Sequence, residues 1–571
     1  MKVSLSNNNI IQQRNISNVR NQRNNKSAKA QNSNGQVSFK GAGTAATAFL
    51  DFLATNPVWG ATATDVGFMG TPTTLTEISR RGLGYGAEAA FREYTSTIND
   101  ACVGLYGLGA GTVLAGALAK GIDKPQKIFA SNESVDVHTA LWKDSNGDVN
   151  KYVDKYVDNL KGFNPNSDRA DAKGYVSIED GELKNSIKND MKSVLDTNID
   201  NKQRDKILKR LGAEIVEATG SDAELVLSHG DKSVTSSIGT VTDDFYKMTK
   251  AMKENGNVSK IGEFASKLKR FGKGRAMLGL GAAMAVSSCF QPINVWLTKK
   301  RTGSDGFGGD SSKPKDNSAK FKAKKLASMA AMSGIMLATL KAKPSQFIDK
   351  MMYKGMAPTV DQFKGLYGIT ILSRMWMGRQ DDELREINIK SILGYLNWLV
   401  LGNVVEKGVA YAMEKKGNPI LKYNKEGSKD GFIFKHFGEK VDKFFNGSIT
   451  SRREMISEAL KKEGKSVLNA DGTAKNMKQL LKDAKALNNP ALNKNLKLRT
   501  IAQLANYAYS GIVLGFGVPF LNISITNGVT KKRNAKKEHE NIMKTSKDMA
   551  INNQIQQSSF AEMKKNYSKT A

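Results

Sequence analysis

Side chains with oxygen atoms recur at every second position of one short polar segment, and they are Asp144, Asn146, Asp148 and Asn150. This spacing supplies ligands 1, 3, 5 and 7 of a helix–loop–helix calcium site. Position 6 of such a loop is normally glycine and position 12 glutamate, but this chain has Val149 and Lys155 there. The segment therefore favours an Asn- and Asp-rich turn, with a weak calcium site as the alternative.

Arg374 is the one charged residue in the otherwise apolar segment from Gly365 to Gly378. A charge within a membrane segment is costly and usually functional. Alternatively, the segment lies at a membrane surface, where the long arginine side chain reaches outward to water. The sequence leaves both interpretations open.

Residues for other chemistry are scattered. Cys102 and Cys289 are the only cysteines, and two cysteines build neither a disulfide framework nor a thiolate metal site. The four histidines are far apart in the chain and have no metal-ligand spacing. No serine–histidine–aspartate, cysteine–histidine or paired-carboxylate arrangement can be assembled locally. We therefore predict no catalytic residue and no cofactor, and the sequence favours a protein that is not an enzyme.

Two segments without any charged residue, Ala276 to Leu297 and Thr500 to Thr530, end in similar sequences. Each is long enough to cross a bilayer, which takes about 20 apolar residues. The basic triplet after each segment is typical of the cytoplasmic side. The repeated residues are Pro292, Asn294 and Thr298 before Lys299, Lys300 and Arg301, and Pro519, Asn522 and Thr526 before Lys531, Lys532 and Arg533. Chance and internal duplication both explain this repeat.

Shorter apolar segments provide further candidate spans. Residues 101–119 are uncharged and rich in glycine, with a GxxxG pattern from Gly107 to Gly111. Small residues let membrane helices approach closely, so this face could also join copies of the chain into a helix-mediated oligomer. The remaining candidate spans are 326–340, 365–378 and 391–405.

Two polar blocks, residues 121–270 and 407–499, separate the apolar segments. The first holds 24 basic and 25 acidic residues, although the whole chain has a formal net charge of +31. Ser451 and Glu454 in the second block predict a capping box and a helix to about Lys462. A helix in the first block is predicted by hydrophobic residues at four-residue spacing, Leu183, Ile187, Met191 and Leu195.

These patterns predict an all-α fold, a multi-pass helical membrane protein with helical polar domains between the spans and disordered basic termini. A mean hydropathy of −0.42 argues against a chain made mainly of spans. The predicted domains are a disordered basic tail 1–40, a small-residue-rich helical region 41–120 with a span at about 101–119, a soluble and mostly helical domain 121–270, a membrane region 271–406 with candidate spans 276–297, 326–340, 365–378 and 391–405, a basic helical polar domain 407–499, a span 500–530, and a basic tail 531–571 that is disordered or a surface helix.

The favoured function is a structural, membrane-organising or transport role in a membrane. The net positive charge predicts an anionic lipid membrane as the partner. The positive-inside tendency places the N-terminus in the cytoplasm and residues 121–270 on the opposite side, whereas the side of the C-terminal tail depends on whether 365–378 crosses. The alternatives are a soluble basic helical protein that binds nucleic acid, disfavoured by few aromatics among the basic segments, and a secreted protein that inserts into a target membrane as a pore.

Overall fold

The structure is a computed structural model that describes residues 40–255, 257–303, 315–414 and 420–567. The chain divides into two compact units, Met1–Thr47 and Ala48–Ala571. In the first unit only the beginning of helix α1 (Lys40–Thr55) is described, so the predicted disorder of residues 1–39 falls outside the described residues. The chain is mostly helical, with 76% helix and few strands, which confirms the all-α class in outline.

The N-terminal part of the second unit is a helical hairpin. One continuous helix contains a π-helical turn in its middle and ends at Gly82, whose φ of 93° is a backbone conformation that suits glycine. The chain then returns through two helices that meet at a bend of 50°. These elements are α2 (Pro57–Thr64), π1 (Asp65–Gly70), α3 (Thr71–Arg81), α4 (Leu83–Ala101) and α5 (Val103–Leu118).

Residues 121–260 form the first polar domain, in which helices surround a small antiparallel sheet of order β2-β1-β3-β4. Its core is one cluster of buried apolar residues that includes Leu141, Ile187 and Phe245. The helix predicted from the spacing of Leu183, Ile187 and Met191 is confirmed as α8. The next helix, α9, ends at Thr219. The elements are α6 (Asn132–Asp144), α7 (Val149–Asn159), β1 (Leu160–Phe163), β2 (Tyr175–Ser177), α8 (Glu182–Ser193), α9 (Asn201–Thr219), β3 (Leu225–His229), β4 (Lys232–Ser236) and α10 (Ile238–Asn255).

A helix of 42 residues leads out of the first polar domain and begins a second set of long helical elements. Glycines let it pack closely on α5, because a Cβ atom at Gly279 would lie 3.1 Å from backbone atoms of Gly107. The elements of this region are α11 (Ile261–Thr302), α12 (Ala319–Thr339), α13 (Phe347–Lys350), α14 (Val360–Met377), α15 (Asp381–Leu396), π2 (Asn397–Leu401) and α16 (Gly402–Glu414).

Residues 420–489 form the second polar domain, and the chain then returns to the long helices. The predicted capping box of Ser451 and Glu454 is confirmed at the start of α20. The elements are β5 (Leu421–Lys422), α17 (Lys425–Ser428), α18 (Phe432–Phe437), α19 (Glu439–Asn446), β6 (Ser448–Ile449), α20 (Arg452–Lys462), α21 (Met477–Ala486), α22 (Pro490–Ile512), π3 (Val513–Gly517) and α23 (Val518–Tyr567).

The predicted disorder of the C-terminal tail is wrong as far as Tyr567. Helix α23 runs for 50 residues without a break, and the described positions from Lys531 to Ser559 are exposed. Lysine, glutamine, alanine and methionine are good helix formers, which explains helix in a segment with little to pack against. The tail is therefore the surface helix that the sequence offered as the alternative.

The two polar domains pack directly on each other through a buried polar junction. Lys422 Nζ lies 2.5 Å from Glu454 Oε1, and both side chains are buried. Glu454 Oε1 also accepts a hydrogen bond from the backbone N–H of Asp222, at 2.9 Å. Ser451 Oγ donates to Asp222 Oδ2 at 2.8 Å, and Lys422 Nζ donates to the carbonyl of Phe163 at 3.0 Å. The two domains therefore lie side by side.

Only part of the predicted set of spans is present as long apolar helices. Among the described residues, Val258–Arg301 and Pro490–Leu521 are long and apolar enough to cross a membrane. The bent pair Gly86–Ala101 and Val103–Leu118 is a third if it counts as one span. The predicted spans 276–297 and 500–530 overlap the first two, and 101–119 overlaps the bent pair. The segments 326–340, 365–378 and 391–405 are helical but do not meet this criterion.

The close contact around Gly104 predicts a strong effect of one added methyl group. In Gly104→Ala, the new Cβ would lie 1.9 Å from the carbonyl oxygen of Met356, so the backbone must move. We expect a loss of about 1–3 kcal/mol in unfolding free energy, as for other overpacked sites. The matched control is Gly109→Ala, where nothing lies within 4 Å and stability should not fall. Thermal unfolding in detergent measures both, and equal shifts would contradict the packing.

The buried carboxyl of Asp244 predicts a pH-dependent stability of the first polar domain. Burial raises its pKa from 3.8 to about 7, although a hydrogen bond from Ser134 opposes the shift. The folded chain therefore holds a proton in this pH range that the unfolded chain releases, and stability should fall as pH rises from about 4 to about 7. The contribution of Asp244 to the slope is at most about 1.4 kcal/mol per pH unit. Burial also raises the pKa values of Glu214 and Asp222 in this domain to about 7, so these carboxyls add to the slope. Asp244→Asn should reduce the slope in thermal unfolding, and the control Asp205→Asn, at an exposed carboxylate, should keep it.

Candidate functional site

Helix α11 places polar residues in the interior and apolar residues outside. Its exposed positions include the apolar residues Met277, Leu278, Val286, Ile293 and Trp296. Its buried positions recur every three or four residues and become polar along the helix: Ala276, Leu280, Ala283, Ser287, Gln291, Asn294 and Thr298. Helices of water-soluble proteins show the opposite arrangement. The outer face of α11 is therefore one that water solvates poorly.

Helix α22 and the π-helical turn after it have the same reversed arrangement. The buried side chains include Arg499, Gln503 and Ser510. Arg499 Nη1 lies 2.5 Å from Glu406 Oε1, and Asn506 donates to the other oxygen of this carboxylate at 3.0 Å. Beyond the first two turns of α22, the large apolar side chains that are exposed are Ile501, Leu504, Ile512 and Phe516, followed by Phe520 at the start of α23. Polar groups of these helices thus face one another, and apolar groups face outward.

The polar interior is concentrated on α4. Spacings of three and four residues place the polar side chains of this helix on one face. That face packs against α11, α14 and π1. The buried residues on it are Glu93, Ser96, Thr97, Asn99 and Asp100. The apolar residue Ile98 points outward between them and is exposed.

Asn99 connects α4 to the middle of α11. Its Nδ2 donates to Ser287 Oγ at 2.8 Å and to the carbonyl of Ala283 at 3.2 Å. Its Oδ1 accepts from the hydroxyl of Tyr106 at 2.7 Å. Ser287 lies halfway along the uncharged segment Ala276 to Leu297. The polar face of α4 is therefore level with the centre of that segment.

Five ionisable side chains surround this level, and we call them the interior charge cluster: Asp65, Glu93, Asp100, Arg374 and Lys390. Thr97 donates a hydrogen bond to Asp65 Oδ2, and Lys390 Nζ lies 3.2 Å from Glu93 Oε1. Arg374 lies close enough to Asp65 and Asp100 to interact electrostatically with both. Arg374 is half-buried beside these carboxyl groups, and its predicted position inside a membrane stays a prediction.

Asp100 differs from the other members of the cluster. Its side chain is 1% exposed, and neither carboxyl oxygen accepts a hydrogen bond of ordinary geometry, so its interactions with the Asn99 amide and with Arg374 are electrostatic only. The neighbouring amide of Asn99 is engaged by α11 instead. A buried polar group without a partner costs free energy, so folding does not explain why this carboxyl is present. The sequence reasoning missed Asp65, Glu93 and Asp100 because they lie in segments that contain several other charged residues.

Three π-helical turns lie in the long helices around the cluster. Asn397 in π2 accepts a hydrogen bond from the hydroxyl of Tyr509 at 2.5 Å, and Trp398 Nε1 donates to the carbonyl of Ala61 at 3.0 Å. The ring of Phe68 in π1 lies against Gly511, beside π3. Such turns are rare and frequent at functional sites. Here they bring three helical elements together next to the charges.

The candidate calcium ligands are engaged in local contacts. Asp144 Oδ2 lies 2.5 Å from Lys155 Nζ. Asp148 caps α7 by accepting from the backbone N–H groups of Asn150 and Lys151, and Asn146 has a φ of 51° in the turn between the helices. In the described ranges, no group of three or more His, Cys, Asp or Glu side chains is arranged to hold a metal ion. The calcium site stays a prediction.

The repeated span-end residues lie on helices, but only the first copy is described in full. Asn294 and Thr298 are buried, Lys299 and Lys300 are exposed, and Arg301 Nε lies 2.7 Å from Glu88 Oε1. Pro292 lies inside α11. In the second copy Pro519 is half-buried, Lys531 and Lys532 are exposed, and the side chains of Asn522, Thr526 and Arg533 lie outside the described residues.

The glycine face of α5 is occupied by the same chain. Added Cβ atoms at Gly107 and Gly111 would contact Tyr353 and Gln126, respectively. Gly109 and Gly116 have nothing within 4 Å of such an atom. The GxxxG pair therefore serves intramolecular packing, and an oligomer formed through small residues stays a prediction for the other face.

Comparisons with protein-family models, with curated proteins and with solved structures find no match for this chain. The function is therefore argued from the site alone.

Proposed function

We propose that this chain is a multi-pass integral membrane protein whose helical bundle (residues 48–118, 261–302, 319–414 and 490–530) lies in the bilayer. The observation that carries the proposal is the reversed arrangement of α11 and α22, which hide polar side chains and expose apolar ones. In water that surface would be unfavourable over its whole length, because apolar exposure costs about 25 cal/mol per Å². Lipid removes this cost, and the interior satisfies the polar groups.

The length of α11 and its aromatic residues fit a bilayer. From Ala276 to Trp296 the helix rises about 30 Å, which is the thickness of a hydrocarbon core. Trp296 and Trp376 are exposed. The ammonium of Lys300 lies 5.4 Å from the ring of Trp296, and that of Lys325 lies 6.0 Å from the ring of Trp376. Tryptophan beside lysine is typical of the interface between lipid and water.

Contacts at the two ends of the bundle support the proposal that successive helices cross it in alternate directions. At one end, Arg301 contacts Glu88, and Lys324 Nζ lies 2.6 Å from Asp381 Oδ2. At the other end, the loop before α14 reaches the first polar domain, where Thr240 Oγ1 donates to the carbonyl of Lys354 at 3.3 Å. Helices α12 and α14 and the element α15–π2–α16 each connect these two ends, and each therefore crosses once.

The junction between the polar domains supports one choice of topology. Since Lys422 and Glu454 pack against Asp222 and Phe163, both polar domains share one side of the membrane. An odd number of crossings must then separate Arg301 from the second polar domain, so residues 365–378 count as a crossing. Lys531 and Lys532 consequently lie on the side of Lys299–Arg301, which we take as cytoplasmic. The placement of the N-terminus in the cytoplasm was based on a count with no crossing before residue 101. The helix of residues 57–81 adds one crossing to that count, so residue 57 lies on the side of the polar domains.

Transport is the one of the roles expected from the sequence that the interior charge cluster supports. Carboxylates and cations in the middle of a bilayer are characteristic of proton and ion pathways. Three carboxyl groups and two cations lie together there, next to three π-helical turns. Asp100 is buried there without a hydrogen bond of ordinary geometry. We propose that the cluster moves protons across the bundle.

Single-cysteine labelling tests the membrane proposal and its topology. In a chain with Cys102→Ala and Cys289→Ala, we expect Asn150→Cys and Glu463→Cys to react with an impermeant maleimide from the same side. Lys531→Cys should react only from the opposite side. Release of the full-length chain by alkaline carbonate would contradict membrane integration, and labelling of residues 150 and 463 from opposite sides would contradict the topology alone.

Proton flux into vesicles tests the transport role. Asp100→Asn should abolish protein-dependent acidification under an imposed potential, because the amide cannot exchange a proton. Its thermal stability should not fall, since no hydrogen bond to the carboxyl is lost. The matched control Asp349→Asn changes a carboxylate at the surface, 3.3 Å from Lys273, and should keep the flux. Absence of flux with the unmodified chain, or full flux with Asp100→Asn, would refute the role.

A further inference from the structure

A short pair of helices in the second polar domain exposes large aromatic side chains. Helices α18 and α19 meet at Gly438 and form what we call the aromatic hairpin (Phe432–Asn446). Phe432, Phe437 and Phe445 are 68%, 62% and 54% exposed. The rings of Phe432 and Phe437 lie 6.3 Å apart, so the exposure forms a patch rather than isolated residues.

The aromatic hairpin is held firmly on its polar side. Asp442 is fully buried and accepts hydrogen bonds from the hydroxyl of Tyr423 at 2.8 Å and from Asn446 at 2.6 Å. Lys443 Nζ lies 2.7 Å from Glu414 Oε2, at the end of α16. The phenylalanines therefore project from a fixed support, and their exposure is a property of the fold.

The aromatic hairpin adjoins the helical bundle at its polar-domain end. The ring of Phe444 lies 6.4 Å from that of Tyr411 on α16, and Lys407 Nζ donates to the carbonyl of Phe445 at 3.1 Å. On the neighbouring elements π2 and α22, the side chains of Leu401 and Leu504 are exposed and apolar. The patch of phenylalanines thus lies beside elements whose exposed side chains we assign to lipid.

We infer that the aromatic hairpin inserts Phe432, Phe437 and Phe445 into the surface of the same bilayer that holds the bundle. This inference rests on the proposed membrane function. Amphipathic helices with aromatic residues on one face bind at the boundary between headgroups and acyl chains. The exposed lysine Lys440 suits the phosphates of anionic lipid headgroups, whereas Lys435 Nζ lies 3.2 Å from Asp430 Oδ1. The hairpin thereby fixes the second polar domain at the membrane surface.

Nitroxide labels report whether these positions meet lipid or water. In the chain lacking native cysteines, Phe432→Cys, Phe437→Cys and Phe445→Cys are labelled and reconstituted in phosphatidylcholine–phosphatidylglycerol vesicles. We expect faster relaxation by oxygen, which concentrates in lipid, than by a water-soluble nickel chelate. Glu463→Cys, exposed in the same domain, is the aqueous control, and Ile512→Cys, exposed on α22, is the lipid control.

The two controls separate the possible failures. If Ile512→Cys behaves like Glu463→Cys, the membrane proposal itself is wrong. If Ile512→Cys meets lipid but the three hairpin labels behave like Glu463→Cys, the inference about the hairpin is wrong. Protection of the hairpin labels from both reagents would show that protein covers them, and this would also overturn the inference.

Discussion

The contact of α4 with α11 is the interaction on which the rest of the arrangement depends. Asn99 bridges the two helices at the middle of the uncharged segment, and the polar residues beside it are turned inward by the same contact. A charge left in apolar surroundings without compensation costs several kcal/mol. The helices must therefore bring carboxylates and cations together, and this requirement orients α4, α14 and π1 around a common polar interior.

Close approach of the helices makes such an interior possible. Gly107 and Gly279 allow α5 and α11 to pack with their backbones almost in contact, Gly104 lets the loop at Met356 approach α5, and the outer faces keep their larger apolar side chains. In lipid, association of helices relies on packing and on hydrogen bonds between them, because lipid chains are as apolar as leucine. Glycine and buried polar residues therefore act together in this bundle, and both kinds of residue would be weak choices for a water-soluble helix.

Buried cations lie where the parts of the chain meet: Arg275 joins the first polar domain to the bundle, and Lys422 joins the two polar domains. Arg275, at the start of the uncharged segment of α11, donates to the carbonyl of Ile128 at 2.6 Å, and its guanidinium lies 4.2 Å from the ring centre of Phe129. Lys422 has a comparable place between the two polar domains. Buried ion pairs contribute little net stability but are costly to break, so they fix one arrangement against its alternatives.

The sequence by itself determined several of the helices and the charge-free segments, because helix periodicity, capping residues and uncharged length are local properties. The capping box of Ser451 and Glu454, the helix under the Leu183 stripe and the two longest apolar helices follow from such patterns. The hairpin of β3 and β4 was missed, although Gly230 and Asp231 form a two-residue turn typical of hairpins. Short strands carry too little periodicity to be recognised against neighbouring helices. Only the tertiary structure decided that Arg374 lies within electrostatic range of Asp65 and Asp100. It also decided that Glu454 pairs with Lys422, and that the phenylalanines at 432, 437 and 445 remain exposed. These facts join residues far apart in the chain, and the free energy of pairing or exposing them exists only once the helices have packed.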